Sequence, residues 1–519
     1  MIFKLCFILF FSVSFAQAQD APIRLITADL KQVKGVKSTV FKECIGAGRA
    51  NEGLRADWQR QLKEAKQKCG FKYIRFHGLL HDDMGVCTKN SEDELIYNFQ
   101  YIDELYDYLL SINVKPFVEL GFMPTDLKSN DKTVFWWKGN ISPPSSYEKY
   151  EDLILKLTEH LNERYGTEEV KSWYFEVWNE PNHPGFFSGN QQDYFKMYQH
   201  AAKAIKSVNP DFRVGGPATA GCGWISEFIE YCNTSKTAVD FVSTHTYGVR
   251  GDLDEFGKKQ LFMDKNKNSV SEAVVKVAGK LKSSSLPNLE LHFTEWSSSY
   301  SSRDPIHDTY QNAPYILNAL KKTEQVANSM SYWTFTDIFE ESGTPSTAFH
   351  GGFGLMNVHG IKKPTFHAYS FANQLGNIEL KNEDSSSWVC KNEKGDIQVL
   401  AWDFTLLNQD QLPNKVFYRT DLPSKEKGKL KISIKNIPNG KYSVELSGVG
   451  YKKADVFSSY LKMGLPTNLT KNQVEILTKV SNELVISSLE IRIKNETFET
   501  EMPIRENDIY LIKLTKRVK

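Results

Sequence analysis

Between residues 20 and about 375 the sequence alternates eight times. Short runs rich in branched and aromatic residues, at 40–45, 73–76, 115–120, 173–178, 212–216, 241–245, 290–296 and 331–336, are mostly separated by longer amphipathic stretches. In 98–112, Phe99, Ile102, Leu105, Tyr106 and Leu109 recur every three or four residues, which puts them on one face of a helix. Leu153, Leu157 and Leu161 do the same within 150–164. Eight strand–helix units over this length predict a (β/α)8 TIM barrel with loop insertions. The rival arrangement is an open doubly wound sheet, but no Gly-rich phosphate loop follows the first strand.

Beyond residue 375 the pattern changes to alternating runs at 398–404, 429–434, 441–446 and 483–493, with turn clusters such as 436–440 between them. This predicts a C-terminal β-sandwich. Neither a solenoid repeat nor a low-complexity linker intervenes, so the two parts are expected to pack directly. The sandwich is read as a brace, because it carries no isolated aromatic run of the kind an independent binding module would show. The expected division is a signal peptide at 1–18, a catalytic barrel at 19–375 and a β-sandwich accessory domain at 376–519.

The leader combines Lys4, an apolar stretch over 5–15 and Ala16-Gln17-Ala18, a small-x-small cleavage site. Cleavage is expected after Ala18, giving a secreted or periplasmic protein. No later apolar stretch has the length of a bilayer span, so no membrane association is expected. The remaining cysteines are Cys44, Cys69, Cys87, Cys222, Cys232 and Cys390. They are too sparse for a disulfide scaffold and lack zinc spacing. Cys222 and Cys232 are the closest pair, and buried thiols account for most of the six. The 519 residues carry 64 Lys and Arg against 63 Asp and Glu, a net charge of +1. That balance lacks the basic footprint of a nucleic-acid binder.

In a barrel, chemistry collects where strands end at the C-terminal face. The fourth run, 173–178, leads into Asn179-Glu180-Pro181, and the seventh ends Thr294-Glu295-Trp296. Neither glutamate has a nearby Lys or Arg in sequence, and both have aromatic neighbours. An apolar setting raises a carboxyl pKa toward that of a general acid, while a hydrogen-bonded partner carboxylate stays ionised. Two carboxyls facing each other across a cleft suit acetal cleavage. One protonates the leaving oxygen, and the other forms a glycosyl ester that water opens.

At these positions the sequence resembles glycoside hydrolase family 39, the β-xylosidases and α-L-iduronidases. The resemblance runs from about Cys44 to about Phe371. It rests on 73–78 (YIRFHG), 116–124 (PFVELGFMP), the Asn-Glu-Pro strand, 215–217 (GGP), 243–247 (STHTY), 294–296, 331–341 (SYWTFTDIFEE) and 351–355 (GGFGL). It implies a retaining mechanism with Glu180 as acid/base, Glu295 as nucleophile, and Asn179 on the sugar 2-hydroxyl. It places His77, His245, Tyr247, Trp333 and Glu340 around the sugar, with Glu341 adjacent to Glu340. Tyr247 is expected to orient the nucleophile. Arg75 is read as a structural ion-pair partner near one of the glutamates. No cofactor and no metal are implied, and homo-oligomers are permitted.

A retaining exo-acting β-xylosidase is the expected activity. Export suits polysaccharide scavenging, and no cation follows the 243–247 strand until Arg250. A uronic-acid site needs a cation at the sugar carboxylate, which Arg250 or Arg303 could supply. The alternatives are therefore the same mechanism on another sugar (α-L-iduronide, β-glucoside, β-galactoside or α-L-arabinoside) and, more distantly, a non-catalytic carbohydrate-binding protein. The aromatic content of 13% then divides between barrel filling and cleft, with Trp173, Trp178, Trp296 and Trp333 on strands four, seven and eight.

Overall fold

The structure, a computed structural model, describes residues 22–517. The expected signal peptide at 1–18 lies outside the described residues.

Eight parallel strands close into a barrel in sequence order: Cys44–Arg49, Tyr73–His77, Lys115–Glu119, Tyr174–Glu176, Arg213–Thr219, Phe241–Tyr247, Glu290–Ser297 and Ser329–Tyr332. The last pairs with the first through Tyr332 and Ile45. The periodic stretch at 98–112 forms the helix Gln100–Ser111, burying Ile102, Leu105, Tyr106 and Leu109. The helix Tyr147–Tyr165 likewise buries Leu153, Leu157 and Leu161, and starts where the Ser146 hydroxyl accepts from the Lys149 amide.

The first strand differs from expectation. Val40–Lys42 is a 3-10 turn with Val40 and Phe41 buried, and the strand begins only at Cys44. Its glycines weaken the strand signal in the sequence, and the barrel interior requires at least one of them. A Cβ at Gly46 would stand 2.4 Å from the Trp333 ring.

The sandwich also differs, because the chain starts in it. Ile23–Asp29 pairs in parallel with Glu426–Lys435, and Val33–Val36 pairs with Ile378–Leu380. The barrel thus begins near residue 44 rather than 19. The partners of the first two strands lie more than 300 residues away, so no local pattern reveals them. The three-stranded and seven-stranded sheets enclose a core that includes Ile26, Leu430, Ile432, Val399, Tyr442, Phe498 and Ile512.

Two helices, Val456–Lys462 and Lys471–Asn482, interrupt the run of strands there. Val456, Phe457, Tyr460 and Leu477 from them pack on Ala348, Phe349 and Ile361, in the long connection after the eighth barrel strand. The accessory domain therefore buttresses a loop at the catalytic end of the barrel. Among the described residues the six cysteines are free thiols, and no helix is long and apolar enough to cross a membrane.

Candidate active site

Side chains alternate across a strand, so residues two apart face the barrel interior in successive layers. The lowest layer is aromatic, with Phe117 stacked on Tyr174 at 4.8 Å and Phe241 and His292 edge-on to both. Two residues further along strands two, three and four, the same parity brings in Arg75, Glu119 and Glu176. The fully buried Arg75 guanidinium donates to Glu176 at 2.5 Å, to Glu295 Oε1 at 2.7 Å and to Asn179 Oδ1 at 2.9 Å, and lies 3.0 Å from Glu119. A guanidinium with several fixed donors suits such a cluster.

Above this layer the strict alternation is broken twice. Trp178 and Glu180 hold φ of 72° and 45°, a left-handed conformation that costs bulky L-residues about 1–3 kcal/mol each. The Glu180 amide donates to Ala218 O (2.8 Å) and the Trp178 indole to Phe186 O (3.0 Å), which hold the kinks in place. As a result the consecutive residues Asn179 and Glu180 both line the cavity. On the seventh strand the register skips one residue, so that Thr244 and His245 face Phe293 and Glu295. This bulge at Thr294 re-aims Glu295.

The cavity at the C-terminal mouth is about 580 Å³. His77, Asn179, Glu180, Tyr247, Glu295 and Trp333 line it, together with Phe186, Tyr300, Glu341 and Phe353. Oxygens of Glu180 and Glu295 lie within 4.8 Å of each other and of a His245 nitrogen. This is the spacing of a retaining pair, whereas an inverting pair needs about 6.5–9.5 Å to admit a water. The same three side chains are the potential metal-ligand group among the described residues, but Arg75 already places a cation 2.7 Å from Glu295.

The two carboxyls differ in their partners. Burial pushes the Glu180 carboxyl well above the usual range, and the nearby charge of Glu295 adds to this. Burial also raises Glu295, but Arg75, His77 and the Tyr247 hydroxyl favour its ionised form. Tyr247 donates to Oε2 at 2.7 Å, and His77 Nε2 lies 3.6 Å from Oε1.

Donor counting around His245 locates a proton on Glu180. The Thr294 hydroxyl donates to Glu176 Oε1 (2.8 Å), so toward His245 Nε2 (3.2 Å) it can only accept. His245 is held neutral by burial and by the charge of Arg75. Its bare Nδ1, 2.9 Å from Glu180 Oε1, therefore accepts from a protonated Glu180.

Of the residues expected around the sugar, His245 touches Glu180 from beneath, while His77, Asn179, Tyr247 and Trp333 line the cavity. Glu340 does not. Its carboxylate is held outside by Arg49 (2.9 Å) and Arg55 (3.0 Å). Glu341 faces the cavity instead, 3.5 Å from His77 Nε2, its carboxyl raised by burial and by the charge of Glu295. Adjacent residues in a loop cannot be told apart by periodicity. Glu119 and Glu176 had a usable signal, since they share the inward parity of Arg75 and His77. Of the four tryptophans on the catalytic strands and strand eight, Trp333 alone lines the cavity among the described residues.

A closed parallel barrel with paired carboxyls at the exits of strands four and seven defines a retaining glycosidase of the (β/α)8 class. The profile of Glycosyl hydrolases family 39 matches residues 25–494, and the chain belongs to this family. It is 43% identical over 385 residues to a β-xylosidase of Geobacillus stearothermophilus, covering 72% of this chain and 76% of that one. It is 40% identical over 467 residues to a β-xylosidase of Caldicellulosiruptor saccharolyticus, covering 88% and 92%. The structure of a monomeric β-xylosidase from Caulobacter crescentus superposes with a TM-score of 0.93 at 39% identity, covering 95% of this chain and 100% of that one.

Proposed function

We propose that this protein is an exo-acting β-xylosidase that releases terminal β-D-xylosyl residues from xylo-oligosaccharides, with Glu180 as acid/base and Glu295 as nucleophile. The observation that carries the roles is the asymmetry of the pair. Glu180 meets a hydrogen-bond acceptor in His245, whereas Glu295 meets the donors Arg75 and Tyr247. Glu180 gives its proton to the leaving oxygen as Glu295 attacks the anomeric carbon. The ester that forms removes the charge of Glu295 and with it one of the causes holding the Glu180 pKa up. Glu180, now more acidic, takes a proton from the incoming water, and the ester opens with the original configuration. Asn179, its oxygen engaged by Arg75, has an amide with no partner among the described residues, open to the 2-hydroxyl.

A neutral sugar suits the cavity better than a uronic acid. Its lining holds Glu180, Glu295 and Glu341 and no lysine or arginine among the described residues. Arg250 is ion-paired with Asp252, and Arg303 donates to Ser342 O at 3.0 Å. The β-xylosidase names of the relatives at 40–43% identity support the same choice. A screen of aryl β-xyloside, β-glucoside, β-galactoside, α-L-arabinoside and α-L-iduronide, run with wild type, Glu180→Ala and Glu295→Ala, tests the reading. The xyloside should be turned over fastest, and each variant should lose at least about a hundredfold. Equal rates for all three proteins sink the mechanism, and a different preferred glycoside sinks the substrate.

The leader supports export, which N-terminal sequencing of the mature chain tests by reading Gln19 first. The homo-oligomer that the family resemblance permits gains no support from the Caulobacter relative, which is described as monomeric.

A further inference from the structure

A second cavity, about 360 Å³, lies beside the catalytic one. Tyr300, 54% exposed, lines both. The two are also joined along the strand Val249–Leu253, where Val249 lines the catalytic cavity and Gly251 the second. Residues two apart share a strand face and stand about 6.6 Å apart, so the second cavity opens one short step outward from the catalytic mouth. An exo-acting enzyme buries the terminal sugar, and the rest of the substrate must leave through that mouth.

The chemistry of this second cavity differs from that of the first. Its lining carries the cations Lys259, Arg303 and Lys415. Arg303 is spent on the 342–346 loop, donating to Ser342 O, Thr344 O and the Ser346 hydroxyl. Lys259 and Lys415 are exposed and make no ion pair among the described residues. The one carboxyl in the lining, Asp304, is buried, accepts from the Asn414 amide at 2.7 Å, and is pushed by burial toward its neutral form. The cavity therefore presents two uncommitted ammonium groups beside a tyrosine ring, a combination that meets a pyranose face and a carboxylate together.

We propose that this second cavity receives the leaving-group portion of the substrate and favours a xylo-oligosaccharide whose leaving sugar carries a uronic-acid substituent. Tyr300 supplies the ring platform at the junction, and Lys259 and Lys415 meet the carboxylate. The inference rests on the β-xylosidase reading above, and it assigns the charged specificity to the leaving side, away from the three carboxyls around the terminal sugar.

The test compares three probes: 4-nitrophenyl β-D-xyloside, xylotriose, and a xylo-oligosaccharide with glucuronic acid on the sugar next to the scissile bond. The enzymes are wild type, Lys259→Gln/Lys415→Gln and Gly251→Phe. A side chain at Gly251 fits the backbone, since its Cβ would meet only Lys259 Cε, at 3.6 Å, and it would fill the cavity. The double lysine variant should lose about three- to fivefold in kcat/KM on the acidic oligosaccharide, the range of an exposed charge pair, and hold its rate on the other two. Wild type should lose the same preference in about 0.5 M NaCl. Gly251→Phe should raise KM at least about fivefold for both oligosaccharides, whose leaving portions are larger than nitrophenol. If the lysine variant treats the acidic and neutral oligosaccharides as wild type does, the inference is overturned even if Gly251→Phe misfolds. Failure of wild type to hydrolyse the nitrophenyl xyloside overturns the β-xylosidase reading itself, a distinguishable result.

Discussion

Thr294→Val is nearly isosteric and removes one hydroxyl that never touches the sugar cavity. In the native site this hydroxyl donates to Glu176 and accepts from His245 Nε2 at 3.2 Å, which fixes the histidine tautomer and leaves Nδ1 as the acceptor for the Glu180 proton. Valine offers no acceptor, so the Nε2–H tautomer loses a hydrogen bond worth about 0.5–1.5 kcal/mol. The other tautomer, which donates from Nδ1 to an ionised Glu180, gains by the same amount. At 1.36 kcal/mol per pH unit, the Glu180 pKa should fall by up to about one unit. The acid must be protonated to act, so the alkaline limb of kcat/KM moves to lower pH. The acidic limb, which follows Glu295, stays in place. The assay is a pH profile on a phenyl β-xyloside, whose poor leaving group needs the proton. A mutant whose rate falls uniformly with the alkaline limb unmoved would refute the relay, as would a limb displaced upward.

Tyr247→Phe acts on the other carboxyl. Loss of a 2.7 Å charge-assisted hydrogen bond to Glu295 costs its ionised form about 1.5–3 kcal/mol, so the nucleophile is protonated at higher pH. The acidic limb of kcat/KM should rise by about one to two pH units, and a limb that stays put excludes the contact. Arg75→Met leaves the buried carboxyls of Glu119, Glu176 and Glu295 without their shared cation. Urea unfolding should show a loss of about 3–5 kcal/mol near neutral pH, as expected when one side of a buried ion pair is removed. A loss below about 1 kcal/mol would mean that the carboxyls find other compensation.

Much of the architecture was legible because it rests on local chemistry. The alternation of strand and helix gave the barrel, since each unit shows its own period, and Asn-Glu-Pro after strand four marked the site. The missed details share one cause. The first strand starts at Cys44 rather than at residue 40, and its Gly46 answers to Trp333, nearly 290 residues away. Residues 23–29 and 33–36 fall within the span expected for the barrel, and only their partners at the other end of the chain make them strands of the accessory sheets. Glu340 and Glu341 were indistinguishable until Arg49 and Arg55 were seen to claim the first.

The sequence alone thus determined the barrel, the accessory sheets and the identity of both catalytic-strand glutamates. Periodicity and strand-end position are properties of contiguous residues. The family resemblance pointed to Glu180 as the acid, and the tertiary structure supplies the physical asymmetry behind that assignment. That asymmetry depends on Arg75, Thr294, His245 and Tyr247, which come from strands two, seven and six, and it reflects whether each carboxyl meets a donor or an acceptor. The fold also decided which of two adjacent acids faces the cavity and that a second, cationic cavity opens beside it. These features arise where distant strands converge, and no single stretch of chain encodes them.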